Sequence, residues 1–242
     1  AGFAALIKGA DLFVDGSSDF AGYFKISRVI IGLTIVALGT SAPELAVSIS
    51  AALQGANEIA LSNVVGSNIF NLLCVLGVCA AIRPVPVDQM IFKRDIPVSA
   101  AAAVLLLLMT GTEALKNGKF LQLGMNETAG DVSRLTGVVL LVLFICYQLY
   151  LIMDAKKKAD GEESAESVSL WKCAVLIFAG LALIIAGGQA VVYSARKIAQ
   201  AFGMSETVIG LTIVAVGTSL PELVTSAVAV GKGETGLAVG NV

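Results

Sequence analysis

The sequence predicts an all-α polytopic membrane protein folded as an inverted-topology repeat. Three observations lead there. Of 242 residues, 57 % are apolar and only 14 % are charged, and the mean hydropathy of +0.88 lies well outside the range of ordinary soluble domains. The apolar residues come in runs of about 20, the length a helix needs to cross the hydrocarbon layer. One stretch also occurs twice: GLTIVALGTSAPEL at 32–45 and GLTIVAVGTSLPEL at 210–223 agree at twelve of fourteen positions.

Eight spans are expected, near 1–20, 29–53, 59–82, 96–112, 135–153, 170–194, 205–230 and from 235 onward, the first and last incomplete. Span one carries Asp11, Asp15 and Asp19 at four-residue spacing, which reads as a solvated helix end. The second holds the first copy of the motif. In the third, SNVVGSNIFN at 62–71 sets Asn63, Ser67 and Asn71 on one polar stripe, with Gly66 permitting close backbone approach. Spans four and five complete a first half, residues 1–153. MDAKKKADGEESAESVS at 153–169, charge-rich and nearly free of bulky apolar side chains, reads as a mobile cytoplasmic linker. The second half, 170–242, carries the second copy of the motif from 210 and stops inside an apolar run. A start at Ala1 rather than methionine adds to the expectation that the chain is a piece of a longer protein.

Charge sets the expected orientation. Loops after odd-numbered spans hold Lys25, Arg28, Arg83, Lys93, Arg94, Lys156, Lys157, Lys158, Lys172 and Lys232, against Lys116, Lys119, Arg134, Arg196 and Lys197 after even-numbered ones. The positive-inside rule then puts the N-terminus outside a multi-pass cell membrane, a prokaryotic plasma membrane. A net charge of -2, with no basic block beyond Lys156–Lys158, excludes a nucleic-acid partner. Cys74, Cys79, Cys146 and Cys173 lack metal or disulfide spacing and read as buried free thiols. The sequence NET at 126–128 matches a glycosylation acceptor only by chance.

The duplication extends beyond the motif. At a constant offset of 178, Ser27 meets Ser205, Gly55 meets Gly233, Asn63 meets Asn241 and Val64 meets Val242. An odd number of helices separates equivalent spans, so the copies enter the membrane from opposite sides. Secondary transporters use this arrangement, with substrate and coupling ions near the midplane between the copies.

Within each copy the chemistry centres on a proline and a carboxylate. Pro43 has no N–H to give to the carbonyl of Gly39, and its ring crowds that carbonyl, so the helix opens and backbone oxygens become available; Pro221 repeats this. Gly39 eases the distortion. Irregular backbone is tolerated at membrane depth where it is buried in protein or lines a wet cavity. Glu44 lies four residues after Thr40 and three after Ser41, and Glu222 stands in the same relation to Thr218 and Ser219. Oxygen-only ligands suit hard cations such as Ca²⁺, which takes about six to eight of them. Zinc or copper would want His or Cys, and the chain has no histidine. A charged carboxylate at the bilayer centre costs about 3 kcal/mol even on the lenient scale. A divalent cation between two of them cancels that cost.

On GTSAPEL with SNVVGSNIFN in one half and GTSLPEL in the other, the chain resembles the cation/calcium exchanger superfamily, in particular its prokaryotic sodium/calcium exchanger branch. The resemblance implies ten transmembrane helices, about eight of them present here. It implies electrogenic sodium/calcium antiport by alternating access, with the first- and sixth-span helices sliding across the remaining bundle. Glu44 and Glu222, with the backbone carbonyls of Thr40 and Thr218, would then bind calcium. Sodium would use Ala37, Thr40, Ser41, Glu44 and Ser67 on one side and Ala215, Thr218, Ser219 and Glu222 on the other, with Asn71 lining the middle position. No cofactor is implied, and the carrier would function as a monomer with calcium, sodium and lipid as its partners.

The same residues admit other readings. Hydroxyls in membrane helices often only bond back to a carbonyl four residues earlier, and Asn63 and Asn71 could be interhelical ties. Proton/calcium exchange is a second transport reading, although neutral Asn71 and the GTS hydroxyls favour sodium. An intramembrane enzyme with Glu44 and Glu222 as acid and base would need unlike environments to separate their pKa values, whereas the flanking residues are the same. A channel fits discontinuous helices in inverted repeats less well than a carrier does.

Overall fold

The computed structural model describes residues 1–110, 132–159, 169–204, 213 and 215–242, and among these there is no strand. Lys116, Lys119, the NET sequence, most of the linker and residues 205–212 of the second motif region lie outside the described residues. Two compact units form: residues 1–85 with 154–242, and residues 86–153.

The larger unit opens with α1, Gly2–Tyr23, followed by α2, Arg28–Thr40, and α3, Ala42–Leu53. Helix α4 (57–82) runs as Asn57–Phe70, a π-helical turn at Asn71–Val75 and Leu76–Ile82. In the smaller unit α5 (91–110) starts with a π-helical turn at Ile91–Asp95, and α6 begins at Arg134 and runs to Ala159, across the boundary. The larger unit resumes with α7, Leu170–Ala201, then α8, Ala215–Thr218, α9, Leu220–Gly231, and α10, Thr235–Asn241.

Among the described residues three helices are long and apolar enough to cross a membrane, Ile59–Ile82, Arg134–Ala155 and Leu170–Ala201, and α2 with α3 qualifies as one span bent by 49°. Helix α1 forms where the first span is expected, but Lys8, Asp11, Asp15 and Asp19 make it too polar to qualify on composition. These acids are partly exposed, and they also carry ion pairs. Asp11 and Asp15 hold Lys232, and Asp19 lies 3.8 Å from Lys172.

The core is an α1–α7 pair brought together by glycine. A Cβ at Gly9 would lie 2.7 Å from the Ile184 nitrogen, one at Gly180 2.6 Å from the Phe13 nitrogen, and one at Gly187 2.6 Å from the Leu6 nitrogen, so the two backbones touch. The pairing obeys the 178-residue offset. Gly2 against Gly187 becomes, on exchange of copies, Gly180 against Gly9. Leu6, Ala10, Phe13 and Val14 are fully buried beside this contact.

Glycine roles differ elsewhere. Gly32 is a close-packing position, where a Cβ would lie 2.7 Å from the Leu237 carbonyl oxygen, and Gly39 abuts Phe13 and Leu181, so it serves packing as much as bending. Among the described residues nothing approaches a Cβ at Gly66 or Gly77 within 4 Å, which runs against the reading of Gly66 as a close-approach position: it lies on the exposed face of α4. Cys79 and Cys173 are buried, but Cys146 is exposed on α6.

In the smaller unit Asp95 is buried and takes Arg94 Nε at 2.5 Å, Arg94 Nη2 at 3.1 Å and the Tyr147 hydroxyl at 2.8 Å, while the Arg94 guanidinium sits 5.8 Å from the Tyr150 ring centre. This network ties α5 to α6.

Candidate functional site

Both copies of the motif break in the same way. Ser41 (φ -81°, ψ 6°) ends one helix and begins the next, and Ser219 (φ -92°, ψ 6°) does so in the second copy. Each proline then occupies the first turn of the new helix, where a missing N–H is harmless. The break therefore falls two residues before the proline rather than at it. Glu44 and Glu222 sit in these first turns, where the positive end of the helix dipole favours a carboxylate.

The serines at the breaks cross between copies. Ser41 Oγ donates to Glu222 Oε1 at 2.8 Å, and Ser219 Oγ donates to Glu44 Oε1 at 3.0 Å. Neither hydroxyl caps its own helix. Glu222 and Ser219 are completely buried and Glu44 is 8 % exposed.

A second reciprocal layer fixes the backbone. Asn63 Nδ2 donates to the Glu44 carbonyl at 3.1 Å and to Ser48 Oγ at 2.9 Å; Asn241 Nδ2 donates to the Glu222 carbonyl at 3.4 Å and to Ser226 Oγ at 2.9 Å. Thr40 Oγ1 adds a bridge between copies, 2.8 Å from Asn241 Oδ1 and 3.1 Å from the Val36 carbonyl. Asn63 is thus both an interhelical tie and a support for Glu44.

Among the described residues, three buried acceptors in this region have no donor. Glu44 Oε2, Glu222 Oε2 and Asn71 Oδ1 are buried without a hydrogen-bond partner. Each of Glu44 and Glu222 thus has one oxygen held by the opposite serine and one left over.

The remaining expected residues are placed unequally. Ala37 starts the last turn of α2, and half-buried Thr218 ends α8, which begins at Ala215. Ser67 Oγ donates to the Asn63 carbonyl at 2.5 Å, bonding back along its own helix. Ser48 and Ser226 are additions to the expected set, while Asn241 stands where the offset put it, as the counterpart of Asn63. The offset could have found the serines, since Ser48 and Ser226 are equivalent positions. Among the described residues no three His, Cys, Asp or Glu side chains gather as a metal site, so an ion here would depend on two carboxylates plus amide, hydroxyl and carbonyl oxygens.

Comparison with known proteins agrees. The family model described as sodium/calcium exchanger protein matches residues 1–153 and 172–242. CaxA of Alkalimonas amylolytica is 40 % identical over 243 residues, covering all of this chain and 73 % of that protein. The sodium/calcium exchanger MaX1 of Methanosarcina acetivorans is 34 % identical over 266 residues, covering all of this chain and 76 % of that protein. A solved structure of the sodium-calcium exchanger NCX_Mj superposes with a TM-score of 0.81 at 34 % identity, covering 99 % of this chain and 73 % of that one. With the paired motifs, the reciprocal site and a match along nearly its whole length, the chain belongs to the sodium/calcium exchanger protein family.

Proposed function

We propose that this chain carries the cation-binding centre of a cell-membrane antiporter that exchanges sodium for calcium by alternating access, with its N-terminus outside. The observation that carries the reading is the pair of unpartnered oxygens, Glu44 Oε2 and Glu222 Oε2, buried between two helix breaks. A buried carboxylate oxygen without a donor costs about 1–3 kcal/mol or more, and a cation removes that cost. Calcium is bound by both glutamates with the Thr40 and Thr218 carbonyls at the negative ends of the broken half-helices. Sodium uses Ala37, Thr40, Ser41, Glu44 and Ser67 on one side, Ala215, Thr218, Ser219 and Glu222 on the other, and Asn71 between. Calcium and sodium compete because two carboxylates cannot balance both loads at once.

The matched serine bonds give Glu44 and Glu222 like environments, which suits shared ligation and opposes an acid/base pair. The repeats are residues 1–153 and 170–242, joined by 154–169. The compact units cut across these limits because equivalent helices of the two copies pack on each other. All these oxygens lie in one chain, so binding needs no second copy.

The test is radioactive calcium uptake into proteoliposomes holding the full-length protein, preloaded with sodium. Uptake is expected only when sodium is diluted outside. Uptake that ignores sodium and follows an imposed pH gradient would move the protein to proton coupling, and no uptake under either gradient would overturn the transport reading.

The crossed serines make a separate prediction. Ser41→Ala and Ser219→Ala each remove a hydrogen bond to a charged group, worth about 1.5–3 kcal/mol, and each is expected to weaken sodium or calcium affinity by roughly tenfold or more. The double variant should lose less than the sum if the two bonds act as one unit. Calcium affinities of the four proteins, measured by equilibrium binding, check this.

A further inference from the structure

The Thr40 side chain is fully buried at the end of α2, and its hydroxyl has one proton to give. Acceptors compete for it. The Val36 and Ala37 carbonyls of its own helix lie at 3.1 and 3.5 Å, whereas Asn241 Oδ1, on α10 of the other copy, lies at 2.8 Å. Other buried or helical hydroxyls that bond back along their own helix sit closer to their carbonyls: 2.7 Å for Thr34 to Ile30, 2.8 Å for Thr110 to Leu106 and 2.7 Å for Ser194 to Ala190. Hydroxyl bonds to oxygen are most frequent at about 2.7–2.8 Å, so the stretched back-bond of Thr40 yields its proton to Asn241.

The amide has a fixed sense. Asn241 Nδ2 faces the Glu222 carbonyl at 3.4 Å and Ser226 Oγ at 2.9 Å. A backbone carbonyl only accepts, so the NH2 group belongs on that side. Asn63 makes the same pair of bonds to the Glu44 carbonyl and Ser48 in the first copy. What remains for Thr40 is Oδ1, which also only accepts. The direction of the Thr40 hydroxyl is therefore set from α9, because the Glu222 carbonyl and Ser226 orient the amide and the amide takes the proton.

The consequence falls on Glu222. Its carboxylate lies beside the Thr40 hydroxyl, and its Oε2 has no donor among the described residues. A Thr40 proton turned toward that carboxylate would satisfy it and weaken it as a ligand. With the proton committed to Asn241, the hydroxyl presents lone pairs instead, which is what an oxygen ligand offers a hard cation.

We propose that Asn241 is a positioning residue that takes the Thr40 proton and so keeps Thr40 Oγ1 and the Glu222 carboxylate free as oxygen ligands for sodium or calcium. The inference rests on the cation-binding reading above and adds a residue outside the ligand set on which that set depends. Ser226 steadies the amide in turn. The same bonds join α2 of one copy to α9 of the other, so the first copy's hydroxyl is aimed by the second copy's backbone.

The experiment measures equilibrium binding of radioactive calcium to the full-length protein in detergent, and sodium affinity by displacement of that calcium. Asn241→Ala is expected to weaken both by about tenfold, the lower end of what losing a ligand's outer partner costs. In the Thr40→Val background, which has no hydroxyl proton to misdirect, the same change should cost less than about twofold, because the two residues act in series. Thr40→Ser keeps the hydroxyl and should restore the full dependence on Asn241. A residue that only braced the fold would lower the melting temperature, but its effect on affinity would be the same whatever stood at position 40. Tenfold losses in both backgrounds, or no loss in either from a folded protein, would overturn the assignment. Ser226→Ala leaves Asn241 in place and loosens its hold. It should weaken binding by a smaller factor, and only where the Thr40 hydroxyl is present, which keeps the test open if Asn241→Ala does not fold. A wild-type protein that binds neither ion would remove the cation-centre reading and this inference with it, whereas binding that ignores the pairing of Asn241 with Thr40 would remove the inference alone.

Discussion

Glu222→Gln eliminates sodium-driven calcium uptake, with a fall of more than about 100-fold, while the protein remains folded. The magnitude follows from comparison with weaker perturbations: losing an outer partner of a metal ligand already costs about 10–100-fold in affinity, and Glu222 supplies a ligand oxygen itself. The fold survives because glutamine keeps the shape, can still accept from Ser41 and removes an intramembrane charge worth about 3 kcal/mol. Glu44→Gln should match it, since Ser219 holds Glu44 as Ser41 holds Glu222. Uptake in proteoliposomes, beside size-exclusion and melting profiles of the same samples, checks both halves of the statement. Wild-type-like uptake by either variant would end the assignment of the paired carboxylates.

Gly180→Val does the reverse and destroys the fold. The new Cβ would stand 2.6 Å from the Phe13 nitrogen and 2.7 Å from the Gly9 carbonyl oxygen, both backbone atoms of α1, so no rotamer change relieves it. Overpacking in a close-packed interior typically costs about 1–3 kcal/mol, and contacts with backbone place this case at or above the top of that range. Gly187→Val, also on α7, meets the α1 backbone at Leu6 and Gly2, and Gly9→Val meets the α7 backbone from the other side of the pair. The control is Gly77→Ala. Its Cβ meets nothing within 4 Å among the described residues, and replacing glycine inside a helix should raise stability by about 0.5–1 kcal/mol. Melting of the purified proteins in detergent separates the two classes; a stable, monodisperse Gly180→Val protein would show that α1 and α7 do not pack as described.

Local features were legible in the sequence. Apolar runs gave the helices, and the repeated GTS-x-PE gave two helix breaks and two buried carboxylates, because a proline acts on residues within one turn and a duplication preserves spacing. The offset even foretold Asn241 as the counterpart of Asn63. The exact residue at which the helix broke was less legible: proline chemistry pointed to Gly39, but Ser41 takes the non-helical conformation and leaves Pro43 in a first turn.

What the sequence determined, then, is which groups exist and in what local order: two carboxylates, each with a hydroxyl, a proline and a following asparagine. Tertiary structure decided whom they meet. Ser41 bonds to a carboxylate 181 residues away and Ser219 to one 175 residues away, so neither local spacing nor helical periodicity could distinguish these bonds from a serine bonding back to its own helix, as Ser67 does. The same holds for Asp11 and Asp15, whose spacing fits a solvated stripe until the fold brings Lys232 to them. Distant partners depend on how helices pack, and packing is set by the sum of many weak apolar contacts and glycine approaches rather than by any one motif.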